Sequence, residues 1–163
     1  MTSAITSLDH RVEMREGQMA ARGRADKQLV EQLKTVPLFS GCSDRELASL
    51  GKFLREVNFP AGREIVQEGR TGTGLHVIIE GETKVVVGGR TRRRLGPGSF
   101  FGEISLLDRG PRTATVVAET PVRTVSLSSW NFRAALKEHP SIAVKMLEEL
   151  ASRIRTSNSS ISD

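Results

Sequence analysis

Seven glycines divide the middle of the sequence into short segments. They stand at positions 62, 69, 74, 81, 88, 96 and 102, at intervals of five to eight residues. The apolar runs between them, such as LHVIIE and KVVV, are shorter than most helices. Because glycine accepts the backbone angles that tight turns require, this spacing predicts many short antiparallel strands. We expect about seven strands between residues 56 and 128, forming a roll or sandwich and not a β-α-β sheet.

Apolar residues have helical spacing before this middle part. The run 29–36 carries four of them at intervals of one to three residues, and Pro37 follows. Proline cannot continue a helix, so the first helix is predicted to end there. Ser43, followed three residues later by Glu46, has the pattern of a capping box and predicts the start of a second helix.

Helical spacing returns after residue 128. Residues 130–138 predict a short helix with Ser128 or Ser129 as its N-cap, and the pair His139-Pro140 ends it. A longer helix is predicted over 141–156, with its apolar residues on one face. The residues expected to anchor these helices are Trp130, Ile142, Met146, Leu147, Leu150 and Ile154. The predicted fold class is therefore α+β: an antiparallel β-roll (a double-stranded β-helix or jelly roll) flanked by N-terminal helices and two C-terminal helices.

The length of 163 residues is enough for one domain with its own core. We predict a mobile N-terminal extension over residues 1–24, a single domain over 25–157 and a frayed tail over 158–163.

Composition restricts the class of protein. No apolar run approaches the ~18 residues of a membrane helix, and the N-terminus lacks the apolar core of a signal peptide. One cysteine allows no internal disulfide, and three scattered histidines show no metal-ligand spacing. We expect a cytoplasmic protein without a membrane partner and without a metal.

The charge balance favours anionic partners. The formal net charge is +5, and four arginines cluster in GGRTRRRLG. They are Arg90, Arg92, Arg93 and Arg94. The pattern is typical of an edge strand protected by charge, and it also fits a patch that faces a phosphate or a partner. The sequence leaves both open.

The segment FGEISLLDRGPRTATV combines one acid and one arginine with small residues. Gly102 precedes a predicted helical turn that begins at Glu103, and the N–H groups there suit a phosphate. Arg112, at the start of a predicted strand, is able to fold back and bind two phosphate oxygens. Glu103 would repel a phosphate and suits a ribose hydroxyl. These residue types together indicate a nucleotide site, although a simple Glu103–Arg112 pair that seals the turn fits them too.

The same segment resembles the phosphate-binding cassette of the cyclic nucleotide-binding domain family, which includes the catabolite activator protein and the regulatory subunit of protein kinase A. The resemblance extends over residues 25–156 and points to a stand-alone bacterial type. It implies that Glu103 accepts the ribose 2′-hydroxyl and that Arg112 neutralises the cyclic phosphate. Thr113 would bond to the phosphate and is able to reach a guanine amino group, so both cAMP and cGMP remain possible ligands. The resemblance also implies contacts from Gly102, Ile104 and Ala114, from Val85 and Val87 beside the base, and from Arg153 as a cap on the purine.

Three classes of function compete. We favour a sensor that binds a cyclic nucleotide and relays it through the C-terminal helix to an unknown effector protein. The sequence leaves open whether the end helices form a homodimer. The sensor would need no cofactor besides this ligand. The alternative is the sensor portion of a catabolite-activator-like transcriptional regulator without its helix-turn-helix module, so we expect no direct DNA binding. An enzyme is the weakest of the three, because no Ser-His-Asp, Cys-His or metal set is visible.

Overall fold

The computed structural model describes residues 27–161, and it places two helices, a β-roll and two further helices in sequence order. The predicted mobile extension, residues 1–24, lies outside the described residues. The helices are α1 (27–34 within the described part), α2 (Asp44–Gly51), α3 (Glu103–Asp108), α4 (Ser129–Glu138) and α5 (Pro140–Ile161), with a 3-10 turn at Pro37–Phe39. The strands are β1 (Arg55–Phe59), β2 (Glu64–Val66), β3 (Gly74–Glu80), β4 (Thr83–Val87), β5 (Arg90–Leu95), β6 (Phe100–Phe101), β7 (Thr115–Ala118) and β8 (Val122–Ser128).

The strands form two four-stranded antiparallel sheets. Their orders are β1-β8-β3-β6 and β2-β7-β4-β5. Neighbouring strands in each sheet are distant in sequence except for the β4–β5 hairpin, as a roll requires. The predicted α+β roll between helices is therefore confirmed, with β6 as a two-residue strand beyond the seven that the glycine spacing predicts.

Two apolar clusters form the core. One joins the helices to the first sheet and includes Phe39, Leu106, Phe132 and Ile142. The other lies between the two sheets and is built around Ile78, Val85, Phe101 and Val116. Leu106 of α3 belongs to the first cluster, so the segment that carries Glu103 packs directly against the helices.

The predicted capping box forms and also connects α2 to α5. Glu46 N donates to Ser43 Oγ at 3.2 Å, and Ser43 N donates to Glu46 Oε2 at 2.8 Å. From α5, Ser141 Oγ donates to Glu46 Oε1 at 2.6 Å and Lys145 Nζ lies 2.7 Å from Glu46 Oε2. The ammonium of Lys145 and these hydrogen bonds lower the pKa of Glu46 to about 2. One carboxylate thus fixes the first turn of α5 against α2.

The C-terminal helices differ from expectation in which apolar residues they bury. Ile142 and Met146 are buried, but Leu147 and Ile154 are 66% and 62% exposed. At 100° per residue, Leu147 and Ile154 lie about 140° and 120° around the helix from Ile142, toward the side away from the core. Trp130, expected as a packing anchor, is 61% exposed, and the anchor of α4 is Phe132.

Helix α5 also extends further than predicted. Residues 158–161 are helical, whereas a frayed tail is predicted from residue 158. The hydroxyls of Thr156 and Ser159 donate to the carbonyls of Ser152 and Arg155 at 3.1 and 2.9 Å. Both are bonds from a hydroxyl to the carbonyl four residues earlier, which satisfy the two hydroxyls within the helix. Among the described helices, including α5, none is both long enough and apolar enough to cross a membrane.

Candidate functional site

The backbone of Arg112 is bound to the loop 69–72. Arg112 N donates to Arg70 O at 2.7 Å, and Gly69 N donates to Arg112 O at 2.8 Å. The loop is the glycine-rich EGRTGTG segment before β3. These two bonds set the position from which the arginine side chain starts.

Two glycines leave room for the guanidinium. Gly102 has φ 87°, and a Cβ there would collide with Arg112 Nη1 and with the main-chain oxygen of Gly74. On the other side, a Cβ at Gly72 would lie 2.8 Å from Arg112 Nε. Since no other residue lacks a Cβ, both positions require glycine while the arginine keeps this conformation.

Arg112 carries a charge in a largely buried side chain. The residue is 9% exposed, and its Nη1 has no hydrogen-bond partner within the part of the chain that the structure describes. Burial lowers the pKa of the guanidinium, while the nearby Glu103 carboxylate acts in the opposite direction. A guanidinium stays protonated under such conditions and has donors only. Its N–H groups are therefore suited to an anionic partner.

Glu103 begins α3 directly after Gly102. No hydrogen bond or ion pair within residues 27–161 joins Glu103 to Arg112, so the turn-sealing pair that the sequence allows is not formed there. Ser105, two residues on, is buried, and its carbonyl accepts from Ser129 Oγ at 3.3 Å. The Glu103 carboxylate is left partly exposed at the edge of the same space as Arg112.

This space is a cavity of about 240 Å³. Seven predicted site residues line it: Val85, Gly102, Glu103, Ile104, Arg112, Thr113 and Ala114. Two predicted residues are not among its lining. Val87 lies near the end of β4 opposite Arg90, and Arg153 Nε lies 3.3 Å from Glu149 Oε1 on α5. The structure thus brings the cassette together with β4 but leaves α5 away from the cavity.

A row of four residues across the second sheet forms one wall. Val66 pairs with Val116, Val116 with Val85, and Val85 with Arg93, so the row crosses β2, β7, β4 and β5 in order. All four line the cavity. Sequence reasoning did not single out Val66, Val116 or Arg93 as site residues. Alternation along a strand shows which residues share a face, but the strand order that joins this row is a long-range property.

The sequence profile described as cyclic nucleotide-binding domain matches residues 56–139. That range contains every residue of the cavity. The chain belongs to the cyclic nucleotide-binding domain family.

Characterised relatives of this cyclic nucleotide-binding domain include regulators and channels. A CRP-like cAMP-activated global transcriptional regulator of Mycobacterium tuberculosis is 35% identical over 138 residues, which are 82% of this chain and 62% of the regulator. The human potassium/sodium hyperpolarization-activated cyclic nucleotide-gated channel 4 is 40% identical over 106 residues, 65% of this chain and 9% of the channel. The chain thus spans less than two thirds of the length of these relatives.

Solved structures of the same family have the same fold. The N-terminal domain of a transcriptional regulator from Streptomyces coelicolor A3(2) superposes with a TM-score of 0.74 at 32% identity, covering 80% of this chain and 94% of that one. The catabolite activator protein of Thermus thermophilus gives a TM-score of 0.61 at 30% identity, covering 77% and 62%.

Beside the cavity of this cyclic nucleotide-binding domain, His76 of β3 packs against Phe101. Their rings stack with centroids 5.1 Å apart, and Phe59 contacts the imidazole edge-on at 6.0 Å. Burial, together with the charge of Arg112, lowers the pKa of His76 to about 4. The histidine is therefore neutral at pH 7 and adds no positive charge beside Arg112.

Proposed function

We propose that this chain is a sensor whose ligand is a purine 3′,5′-cyclic nucleotide bound in the cavity beside Arg112. The observation that carries the proposal is the buried guanidinium with an unpartnered Nη1. Leaving a buried charge unpaired costs free energy, and a phosphate bound there would recover it. The family and the name of the mycobacterial regulator support a cyclic nucleotide, and place cAMP among the first ligands to test.

The seven predicted residues that line the cavity each have a role in this proposal. Arg112 neutralises the cyclic phosphate through two parallel hydrogen bonds, and the Thr113 hydroxyl or amide donates to it. Glu103 accepts from the ribose 2′-hydroxyl. Gly102 and Ala114 allow the ligand to approach the backbone, and Ile104 covers it from α3. Val85 contacts the base.

The chemistry of these residues favours binding without catalysis. An arginine that grips a phosphate neutralises it in its ground state, and catalysis requires tighter binding of a transition state. The lining includes the carboxylates Glu103 and Asp108 but no cysteine, histidine or lysine. The role we propose for the cavity is ligand sensing.

The signal would pass through α3. Leu106 is 1% exposed and belongs to the cluster that holds Phe132, Ile142 and Met146 of α4 and α5. A ligand that draws α3 toward Arg112 moves this leucine and changes the packing of α5. Helix α5 then closes over the base and alters the surface offered to an effector protein. Only a difference in ligand affinity between the two helix positions can drive this step.

The outer face of α5 supports a homodimer. Val144, Leu147 and Ile154 are exposed, with Ala151 between them, at intervals of three, four and three residues. This is the spacing of the contact positions in a two-stranded coiled coil. A second copy of α5 is the partner that this spacing fits, and the same pairing suits the sensor of a transcriptional regulator. We expect no direct DNA binding by the described residues.

Calorimetric titration of the purified chain with cAMP and cGMP tests the proposal, with 5′-AMP as the acyclic control. We expect saturable binding of at least one cyclic nucleotide at micromolar or lower Kd. Arg112→Ala removes a charge-assisted bidentate contact and should weaken binding by several kcal/mol. Equal affinity of Arg112→Ala and the unaltered chain, or no heat with either cyclic nucleotide, would refute the proposal.

A further inference from the structure

Strand β5 is the longest strand at the edge of a sheet. The edge strands are β1, β6, β2 and β5, with five, two, three and six residues. Within the described residues, the backbone of β5 bonds to β4 alone. Antiparallel pairing uses the N–H and C=O groups of alternate residues, so the groups of the residues between them point away from β4. Another extended chain is able to pair with such an edge.

The side chains of β5 are strongly basic. Residues 90–94 are all exposed, and four of the five are arginines. One of the four, Arg94, has its Nε 2.9 Å from Glu119 Oε1. The other three form no ion pair within the part of the chain that the structure describes. Three guanidinium groups therefore lie beside the free backbone groups of this edge without an acid to neutralise them.

The cations lie on both faces of the β4–β5 hairpin. Arg90 pairs with Val87, and cross-strand partners share a face. Arg94 pairs with Lys84, and positions 84 and 87 of one strand face opposite ways. A register shift between the two strands leaves Arg92 as the extra residue of a β-bulge. The edge thus has positive charge above and below the plane of its backbone groups.

Contacts at both ends hold the hairpin in place. At the turn, Gly88 N donates to Glu68 Oε2 at 3.0 Å. At the other end, the pair of Arg94 and Glu119 joins β5 to the residue that follows β7. The turn residues Gly88 and Gly89 have no side chain that would cover the edge. A strand held in this way loses little further freedom when another chain pairs with it.

Charge selects among the chains that could pair here. A second copy of β5 would place arginine beside arginine, and like charges on neighbouring strands oppose pairing. A strand with alternate acidic residues would instead place carboxylates beside the guanidinium groups. Phosphates offer only acceptors, so a nucleic acid or a lipid surface would leave the free C=O groups of β5 without donors. An acidic strand satisfies both the charges and the backbone.

We propose that β5 is a docking edge for an acidic, extended segment of a partner protein, which pairs with it as an added strand. The main-chain hydrogen bonds of such an added strand supply affinity, and the side chains beside it supply selection. The arginines that oppose pairing with a second copy thus select an acidic partner. Binding of this segment does not depend on the proposed nucleotide ligand.

Fluorescence anisotropy at low ionic strength tests the proposal with a labelled peptide of alternating glutamate and valine, as long as β5. We expect saturable binding below about 1 mM peptide. Replacing glutamate by lysine should abolish binding, because the charges then repel. Methylating every amide nitrogen keeps the carboxylates and removes every main-chain donor, so it should weaken binding by about tenfold or more.

Arg90→Glu combined with Arg92→Glu reverses two charges at the edge and should weaken peptide binding by about tenfold or more. Neither residue lines the cavity of the proposed nucleotide site. The matched control is Arg45→Glu with Arg133→Glu, which makes the same change in net charge at exposed positions of α2 and α4. It should change the peptide Kd by less than about twofold, because those positions are not at the edge.

Hydrogen exchange of the unaltered chain gives a second measurement that needs no variant. Saturation with the acidic peptide should slow amide exchange in β5, whose outward N–H groups become hydrogen-bonded, and leave α2 unchanged.

Several results would overturn the inference. They are the absence of saturable binding, equal binding of the methylated peptide, an equal loss of affinity in the control variant, and unchanged exchange in β5. Tighter binding of a single-stranded oligonucleotide or of anionic vesicles than of the peptide would assign this edge to phosphates instead. The proposed function is tested separately by the nucleotide titration, so its failure is distinguishable from each of these results.

Discussion

At the scale of single residues, the proposed site depends on the buried guanidinium of Arg112. Arg112 is held between Gly72 and Gly102, and its Nη1 has no partner in the described part of the chain. A buried charge without a partner lowers the free energy of unfolding. An anion that pairs with this charge should raise the free energy of unfolding again. Ligand binding should therefore be coupled to stability through this one side chain.

Gly102→Ala should destabilise the protein more than an ordinary glycine replacement. The backbone at Gly102 has φ 87°, and the new Cβ would collide with the main-chain oxygen of Gly74 as well as with Arg112 Nη1. We expect a loss of about 2–4 kcal/mol in urea unfolding, together with weaker nucleotide binding. Gly98→Ala is the control, because Gly98 has φ 84° but nothing within 4 Å of the added atom. Gly98→Ala should lose about 1 kcal/mol of unfolding free energy. An equal loss in both variants would show that the space between Gly102 and Arg112 accepts a Cβ.

His76 should make stability depend on pH. Its pKa is about 4 in the folded protein, below the unfolded value of about 6.5, so the unfolded chain binds more protons between these values. The free energy of unfolding should fall as pH drops through this window, by about 2 kcal/mol between pH 7 and pH 5. Urea unfolding of His76→Gln at both pH values provides the comparison, since that side chain does not titrate. The prediction is wrong if the variant loses as much stability as the unaltered chain.

At the scale of elements, α3 connects the cavity to the helices, and α5 has one fixed end. Leu106 packs in the helical cluster, while Glu46 binds the first turn of α5 through Ser141 and Lys145. Helix α5 is thus attached near residue 141 and carries fewer core contacts toward its C-terminus, where Ser152 and Arg155 are exposed. A motion of α5 would have its pivot at the Glu46 contact.

Hydrogen exchange measures that motion. We expect saturation with the more tightly bound cyclic nucleotide to change amide exchange over residues 141–156, least in the first turn because Glu46 holds it. The central strand β3, whose residues pair on both sides, serves as the internal reference. Unchanged exchange over 141–156 at saturation would exclude the proposed relay through α5.

At the scale of the whole molecule, the two cores leave an apolar stripe of α5 uncovered. Its large members, Val144, Leu147 and Ile154, are 55%, 66% and 62% exposed. Removing such residues from water at an interface would stabilise a dimer by about 25 cal/mol for each Å² of apolar surface buried.

Leu147→Glu should convert a dimer into a monomer. The substitution places a charge at the centre of the stripe and leaves the core residues Ile142 and Met146 untouched, so folding should be preserved. Sedimentation equilibrium gives the mass, and circular dichroism checks the helices. Ser152→Glu adds the same charge on an exposed position of α5 outside the stripe, and should remain dimeric. A monomeric unaltered chain, or a dimeric Leu147→Glu, would contradict a dimer through α5.

The sequence by itself determined the elements whose causes are local. The capping box of Ser43 and Glu46, the N-cap of α4 at Ser128 and the helical turn after Gly102 all involve groups a few residues apart. The cassette residues Glu103 and Arg112 were predicted for the same reason, since both belong to one short motif. Alternation and turns were enough to predict a roll between helices.

Tertiary structure alone decided which distant residues meet. Gly72 and Gly102 both leave room for the side chain of Arg112, although thirty positions separate them in the sequence. Arg93 lies beside Val85 only because of the strand order and the bulge between β4 and β5. The direction of Leu147 and Trp130 toward solvent likewise follows from how α4 and α5 pack on the roll. Strand register and helix docking are set by the sum of many weak long-range contacts, and no short stretch of sequence contains that sum.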